Sequence, residues 1–148
     1  MWNKIAAYLG LFLLFACGPV DNNFNNIENS IGSDKIKMFV AFPLDERFRL
    51  YNKVYNKRWR PHKTELAIGF RDQPERAISY IVNDLISSTF SDFIRYFPII
   101  YDLSKNSHYN LCRGEYVLEL RKIIHSYRLS NEQLNTLNGI HLGKCDLI

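Results

Sequence analysis

Two residue types in this chain could do nucleophilic or metal chemistry: three cysteines, Cys17, Cys112 and Cys145, and four histidines, His62, His108, His125 and His141. A thiolate nucleophile needs a base beside it and a third group to orient that base. Asp102, His108 and Cys112 supply those three types within one short segment, the composition of a thiol hydrolase. The competing reading is an ordinary surface histidine in a loop, and a disulfide at Cys112 would abolish the nucleophile. The histidines are scattered, and none has a second ligand at a zinc-site interval. HExxH, GxSxG, SxxK and a glycine-rich phosphate loop are all absent. Asp84 and Asp92 read as the polar side of a helix rather than as a paired acid and base. The residue types therefore assign no catalytic residue, no metal ligand and no cofactor.

Binding chemistry has one candidate, the segment "ERFRLYNKVYNKRWRPHK" at 46–63, where cations and aromatics interleave. As a helix capped by Asp45 and stopped by Pro61, it puts Phe48, Tyr51, Val54, Tyr55 and Trp59 on one side. Arg49, Lys53, Lys57 and Arg60 fall on the other. Such a surface suits anionic groups: phospholipid heads, lipopolysaccharide phosphates or acidic wall peptides. The structural alternative packs the aromatic side into the core and leaves the cations as its solvated back. A strand is the weaker reading, with Tyr51, Tyr55 and Trp59 sharing parity with Lys53 and Lys57. Stacking on nucleic acid is chemically feasible, with aromatics taking bases and cations taking phosphates, but it is the least expected of these readings.

The elements that would position these residues follow from periodicity. In "KIKMFVAF" Ile36, Met38, Val40 and Phe42 alternate with Lys37, Phe39 and Ala41, which predicts a strand ending at Pro43. "TELAIGF" at 64–70 predicts a second, with Leu66, Ile68 and Phe70 on one face. Asp72 as N-cap, Pro74 in the first turn and Glu75 three residues after the cap open a helix. Its stripe of Ile78, Ile81, Val82, Leu85, Ile86, Phe90, Phe93, Ile94 and Phe97 runs to Pro98, predicting one element of about 24 residues. "EYVLELRKIIHSYRL" fits both periods, and Tyr116, Leu118 and Leu120 favour a strand for its first half. Ser130 and Gln133 make a capping box for a short helix closed by Gly139. The expected fold class is α+β: a small, mainly antiparallel sheet packed on one long central helix, with one or two shorter helices.

The chain has 148 residues, 47% hydrophobic and 14% aromatic, with a formal net charge of +4. That composition is globular, shows no internal repeat and names no charged partner. At the N-terminus Lys4 precedes Ile5 to Ala16, an apolar run of about 12 residues, too short to span a bilayer but suited to a secretory signal. Leu14, Phe15, Ala16 and Cys17 then resemble the lipobox of bacterial lipoproteins. The resemblance implies cleavage before Cys17, acylation of its thiol with chains of the palmitate type, and Cys17 as the first mature residue. Cleavage after Gly18, using Ala16 and Gly18, and an uncleaved anchor are the alternatives. Gly18, where inner-membrane lipoproteins typically carry Asp, points to the outer membrane of a bacterial envelope.

With Cys17 acylated, Cys112 and Cys145 remain as a pair that an oxidising compartment would join, though two separate buried thiols are the alternative. The domain layout expected is a signal peptide over 1–16, a lipidated N-terminus with a flexible Asn-rich tether over 17–34, and one α+β domain over 35–148. The function expected is a membrane-anchored, non-enzymatic binding or assembly module, meeting another envelope protein or an anionic envelope polymer and no nucleic acid. A cell-envelope hydrolase with a site assembled from distant residues is the alternative from another class. A phage- or plasmid-borne exclusion lipoprotein shares this size and layout.

Overall fold

Asp21 starts the first helix: its side chain accepts a hydrogen bond from the Phe24 backbone N–H at 3.0 Å, satisfying one of the donors a helix start leaves open. The computed structural model describes residues 21–30, 32–57, 65–105, 111 and 115–138. Among them the elements are α1 (Asn22–Asn29), α2 (Gly32–Val40), α3 (Leu44–Lys57), a helical turn at 65–67 running into a 3-10 turn (Ile68–Phe70), α4 (Pro74–Leu85), α5 (Phe90–Lys105), α6 (Glu115–Ser126) and α7 (Asn131–Asn138). No strand occurs among the described residues, so the expected α+β class with an antiparallel sheet is overturned and the described fold is all-helical.

Each strand assignment fails for a reason visible in burial. In α2 the fully buried residue is Phe39, with Lys35 one turn earlier also buried, whereas the alternating reading had set Phe39 on the opposite face from Ile36, Met38 and Val40. At 65–70 Leu66, Ala67 and Phe70 are buried while Ile68 is 39% exposed, which breaks the proposed face of Leu66, Ile68 and Phe70. In α6 Val117, Leu120, Ile123 and Ile124 are buried and Leu118 is 57% exposed, so period 3.6 wins over period 2.

The expected tether is also corrected. From Asn22 onward the Asn-rich stretch is helical, and Phe24 and Ile27, three residues apart, are buried where α1 packs on α2 and α3. Two well-spaced apolar side chains and a capping aspartate suffice when a partner surface exists. Gly32 enters α2 at φ 54°, a left-handed conformation that favours glycine.

The long helix divides in two. Ile86 to Thr89 interrupt it, because Ser88 Oγ donates to the Leu85 carbonyl and the Asp92 carboxylate accepts from both the backbone N–H and the hydroxyl of Thr89. Thr89 and Asp92 thereby start α5 afresh, and α5 folds back against α4. Pro98 does not stop α5 but lies inside it. The cost of a missing amide N–H there is offset by burial of Phe93, Tyr96, Ile99, Ile100 and Leu103.

One buried cation ties the connections together. Arg47 is only 3% exposed and sits on the core side of α3 with Leu50, Tyr51 and Val54. Its Nε donates to the Phe42 carbonyl at 2.7 Å, Nη2 to the Val40 carbonyl at 2.5 Å, and Nη1 to the Gly69 carbonyl at 2.8 Å and to Asp72 Oδ1 at 2.6 Å. The guanidinium thus occupies carbonyls left open at the end of α2 and at the 3-10 turn. Asp72, expected to cap α4, is spent on Arg47; Gln73 holds the N-cap position and Pro74 opens the helix. Gly69 is required on steric grounds, since a Cβ there would lie 2.4 Å from Cδ1 of the Phe39 ring.

Candidate functional site

The basic segment is helical, as its spacing predicts, over Leu44–Lys57, but Asp45 lies in its first turn rather than at the cap, and the Pro43 carbonyl accepts the first helical bond, from the Arg47 N–H. Its apolar side does pack inward: Phe48 and Tyr51 are fully buried and Val54 nearly so. Its cations are not an open row. Arg49 Nη1 and Nη2 reach the Asp21 carboxylate at 2.6 and 3.2 Å, and Arg49 Nε and Nη2 reach Glu46 at 2.6 and 2.7 Å. Lys53 Nζ bonds the same Asp21 carboxylate at 2.8 Å and lies 4.7 Å above the Phe24 ring. Asn23 Nδ2 adds a 3.2 Å bond to Glu46.

Arg49 and Lys53, 48% and 40% exposed, therefore clasp α1 onto α3. The hydrogen bonds from Arg49 and then Lys53 hold the Asp21 carboxyl well below its ordinary range, and Arg49 does the same to Glu46. Lys57 closes the helix. Trp59 and Arg60 lie outside the described residues, as do Cys17, Cys112, Cys145, His62, His108 and His141. The lipidation site and the expected Cys112–Cys145 disulfide fall there too. Asp102, the would-be orienting group of the thiol arrangement, takes two bonds from Arg71, at 2.7 and 2.5 Å.

The other acidic pair is likewise engaged. Asp84 Oδ2 accepts from the Tyr96 hydroxyl at 2.8 Å and from Arg95 at 3.4 Å, while Asp92 caps α5 and meets Arg95 at 3.0 Å. Burial, with Asp84 as a lesser cause, pushes the Tyr96 phenol up to about 12. His125 is exposed in the last turn of α6. Among the described residues no group of His, Cys, Asp or Glu could hold a metal ion, and no helix is long and apolar enough to cross a membrane.

What sequence reasoning missed is a groove of about 490 Å³ along the polar side of α4. Arg76, Ser79, Tyr80 and Asn83 recur at three- and four-residue spacing and form its floor, opposite the core stripe of Ala77, Ile78, Ile81, Val82 and Leu85. Its walls are Leu44 and Asp45 from the start of α3, Glu75 from the first turn of α4, and Tyr116 from α6. Tyr80 is 38% exposed, yet its ring is fixed: Phe48 stacks on it with centroids 3.9 Å apart and planes 9° apart. Phe48 is itself held by Phe70 and, edge-on, by Tyr96. The signal that could have found the groove is an aromatic at position 80 amid the polar positions of an amphipathic helix.

A second cleft, of about 390 Å³, is lined by Ile68, Phe97, Pro98 and Tyr101 with Asp102 at its edge, and is almost wholly apolar. Compared with protein-family models, with curated proteins and with solved structures, the chain matches none.

Proposed function

We propose that this protein is a lipid-anchored lipoprotein of the bacterial envelope, held in the outer membrane through acylated Cys17, whose helical domain is a non-enzymatic binding or assembly module. The single observation that carries this reading is the run Leu14, Phe15, Ala16 and Cys17 behind a short apolar stretch and Lys4. A thioether-linked pair of acyl chains would anchor stably, at about 0.8 kcal/mol per buried CH₂. The partner is another envelope component, a protein or an anionic polymer, and the Cys112–Cys145 pairing belongs to the same oxidising compartment.

The start of α1 supports a close seat on the bilayer. Only four residue steps separate Cys17 from the capping Asp21, a reach of at most about 14 Å from anchor to helix. At that distance the half-exposed Arg49 and Lys53 lie within about two Debye lengths of the lipid heads, although Asp21 and Glu46 neutralise much of their field.

Intact-mass measurement of the protein purified from its bacterial host tests the reading. The expected mass is that of a chain beginning at Cys17 plus acyl groups, and Cys17→Ser should abolish membrane fractionation. A mature start elsewhere, or no added acyl mass, overturns it. Thiol counting on the same sample reads Cys112 and Cys145: none free supports the disulfide, two free refute it.

A further inference from the structure

We propose that the groove along α4 is a saccharide site, in which the open face of Tyr80 stacks against one pyranose ring of a glycan while the polar side chains around it take the ring's hydroxyls. The inference goes beyond the partner classes named above by adding a glycan whose hydroxyls are what the site reads, and it is independent of the anchor, since the groove belongs to the described residues.

Three observations carry it. A tyrosine ring has two faces; Phe48 covers one of Tyr80's, with centroids 3.9 Å apart, and the residue is nevertheless 38% exposed and lines the groove, which leaves the second face as the one a ligand there would meet. A stacking platform needs to be rigid, because a ring that must be immobilised on binding loses rotamer freedom that offsets the contact. Phe48 is fully buried and wedged by Phe70 and Tyr96, so the Tyr80 ring is immobilised in advance.

The second observation is the balance of the lining. Arg76 is donor only, the Asp45 and Glu75 carboxylates are acceptors only, and Ser79 and Asn83 are both. Arg76 Nη1 donates to Gln73 Oε1 at 2.6 Å and keeps four other N–H donors; neither Asp45 nor Glu75 has an ion-pair partner among the described residues. A hydroxyl is donor and acceptor at once, so a ring bearing several of them matches a lining of both kinds. Two carboxylates against one guanidinium leave the lining at a net charge of −1, which disfavours a phosphate or sulfate; a cationic amine is the competing ligand class, which the tetramethylammonium control separates. The third observation is size: about 490 Å³ lies within the range of small-ligand sites, and Tyr116 offers a second aromatic wall.

Titration of the full chain with the trisaccharides of N-acetylglucosamine and of glucose, read by saturation-transfer NMR, tests the proposal, with tetramethylammonium as the cation control. At least one trisaccharide should bind with a Kd of about 1 mM or tighter, and tetramethylammonium should not. Tyr80→Ala should weaken that binding about tenfold, as loss of a ring stack does, and Tyr80→Phe should keep it within about threefold. Because Tyr80→Ala also uncovers Phe48, Glu75→Gln and Arg76→Gln serve as variants on exposed side chains, each expected to weaken binding about threefold or more with an unchanged melting temperature. Absence of binding by both sugars, binding undiminished in Tyr80→Ala and the two exposed variants, or tetramethylammonium as the better ligand each overturns the proposal. None of those results alters the acyl mass at Cys17, so failure here and failure of the anchor are told apart.

Discussion

Arg47 offers the sharpest test of what holds this fold together. Its guanidinium makes four hydrogen bonds through three nitrogens, three to backbone carbonyls and one to Asp72. The Asp72 side chain is 42% exposed, so water replaces most of what that carboxylate loses if its partner goes. The Gly69 carbonyl is buried and is left without its donor. Hydrogen bonds from a charged donor are worth about 1.5–3 kcal/mol each, and breaking a buried charged contact costs about 3–5 kcal/mol in total, because the bonds are not additive.

Arg47→Ala, which also removes the packed stem, should therefore cost about 4 kcal/mol, and Arg47→Met, which restores the stem, about 3 kcal/mol. Asp72→Asn should cost only about 1 kcal/mol, since the three carbonyl bonds remain. Against a total stability of about 5–15 kcal/mol, these are large differences, and at about 3–5 °C per kcal/mol the alanine variant should melt 12–20 °C lower. Urea unfolding followed by circular dichroism at 222 nm, with unchanged m-values, reads all three. An Arg47→Met variant within about 1 kcal/mol of wild type, or an Asp72→Asn variant as damaged as Arg47→Met, would refute the carbonyl clamp and leave an ion pair as the operative contact.

The other expectations concern local features. The Asp21 and Glu46 carboxyls lie below their ordinary 3.8 and 4.5 in the folded state, so the stability they contribute is present above those values and is lost as pH falls through the lower folded ones. Urea midpoints should drop between about pH 5 and pH 2, and Asp21→Asn, about 1 kcal/mol less stable at pH 7, should show a shallower drop; parallel curves would contradict the clasp. Gly69→Ala places a methyl against the Phe39 ring and should cost about 1–3 kcal/mol, with Phe39→Leu recovering part of it in the double variant; additive losses would argue against that contact. Ser130 and Gln133 exchange hydrogen bonds at 2.9 and 3.3 Å, so Ser130→Ala should cost about 1 kcal/mol and speed amide exchange in the first turn of α7, whereas unchanged exchange would exclude the cap.

Local chemistry was readable from the chain by itself. The capping box at Ser130 and Gln133, the helix of the basic segment, Pro74 at a helix start and the core stripe of α4 depend on neighbours within four residues, and they stand as the spacing implied. The caps and the side-chain spacing that define each of them lie in the same turn or the next. Short apolar runs were ambiguous because alternation and 3.6 periodicity coincide over six to eight residues; only the surface that receives Phe39, or leaves Leu118 exposed, distinguishes them. At the break over Ile86 to Thr89 the hydrogen bonds of Ser88 and of Thr89 with Asp92 are local, but that they end one helix and start another is decided by α5 folding back on α4. Tertiary structure alone decided the roles of the charged residues. Arg47 and Arg49 are two positions apart on one helix, yet one is buried against carbonyls from 40, 42 and 69 and the other meets Asp21 at the surface. Those partners stand 5 to 28 residues away in sequence, and a charge's role is set by where its counter-group and its solvent are. The groove at Tyr80 has the same origin, since its walls come from α3, α4 and α6 and exist only once those helices pack.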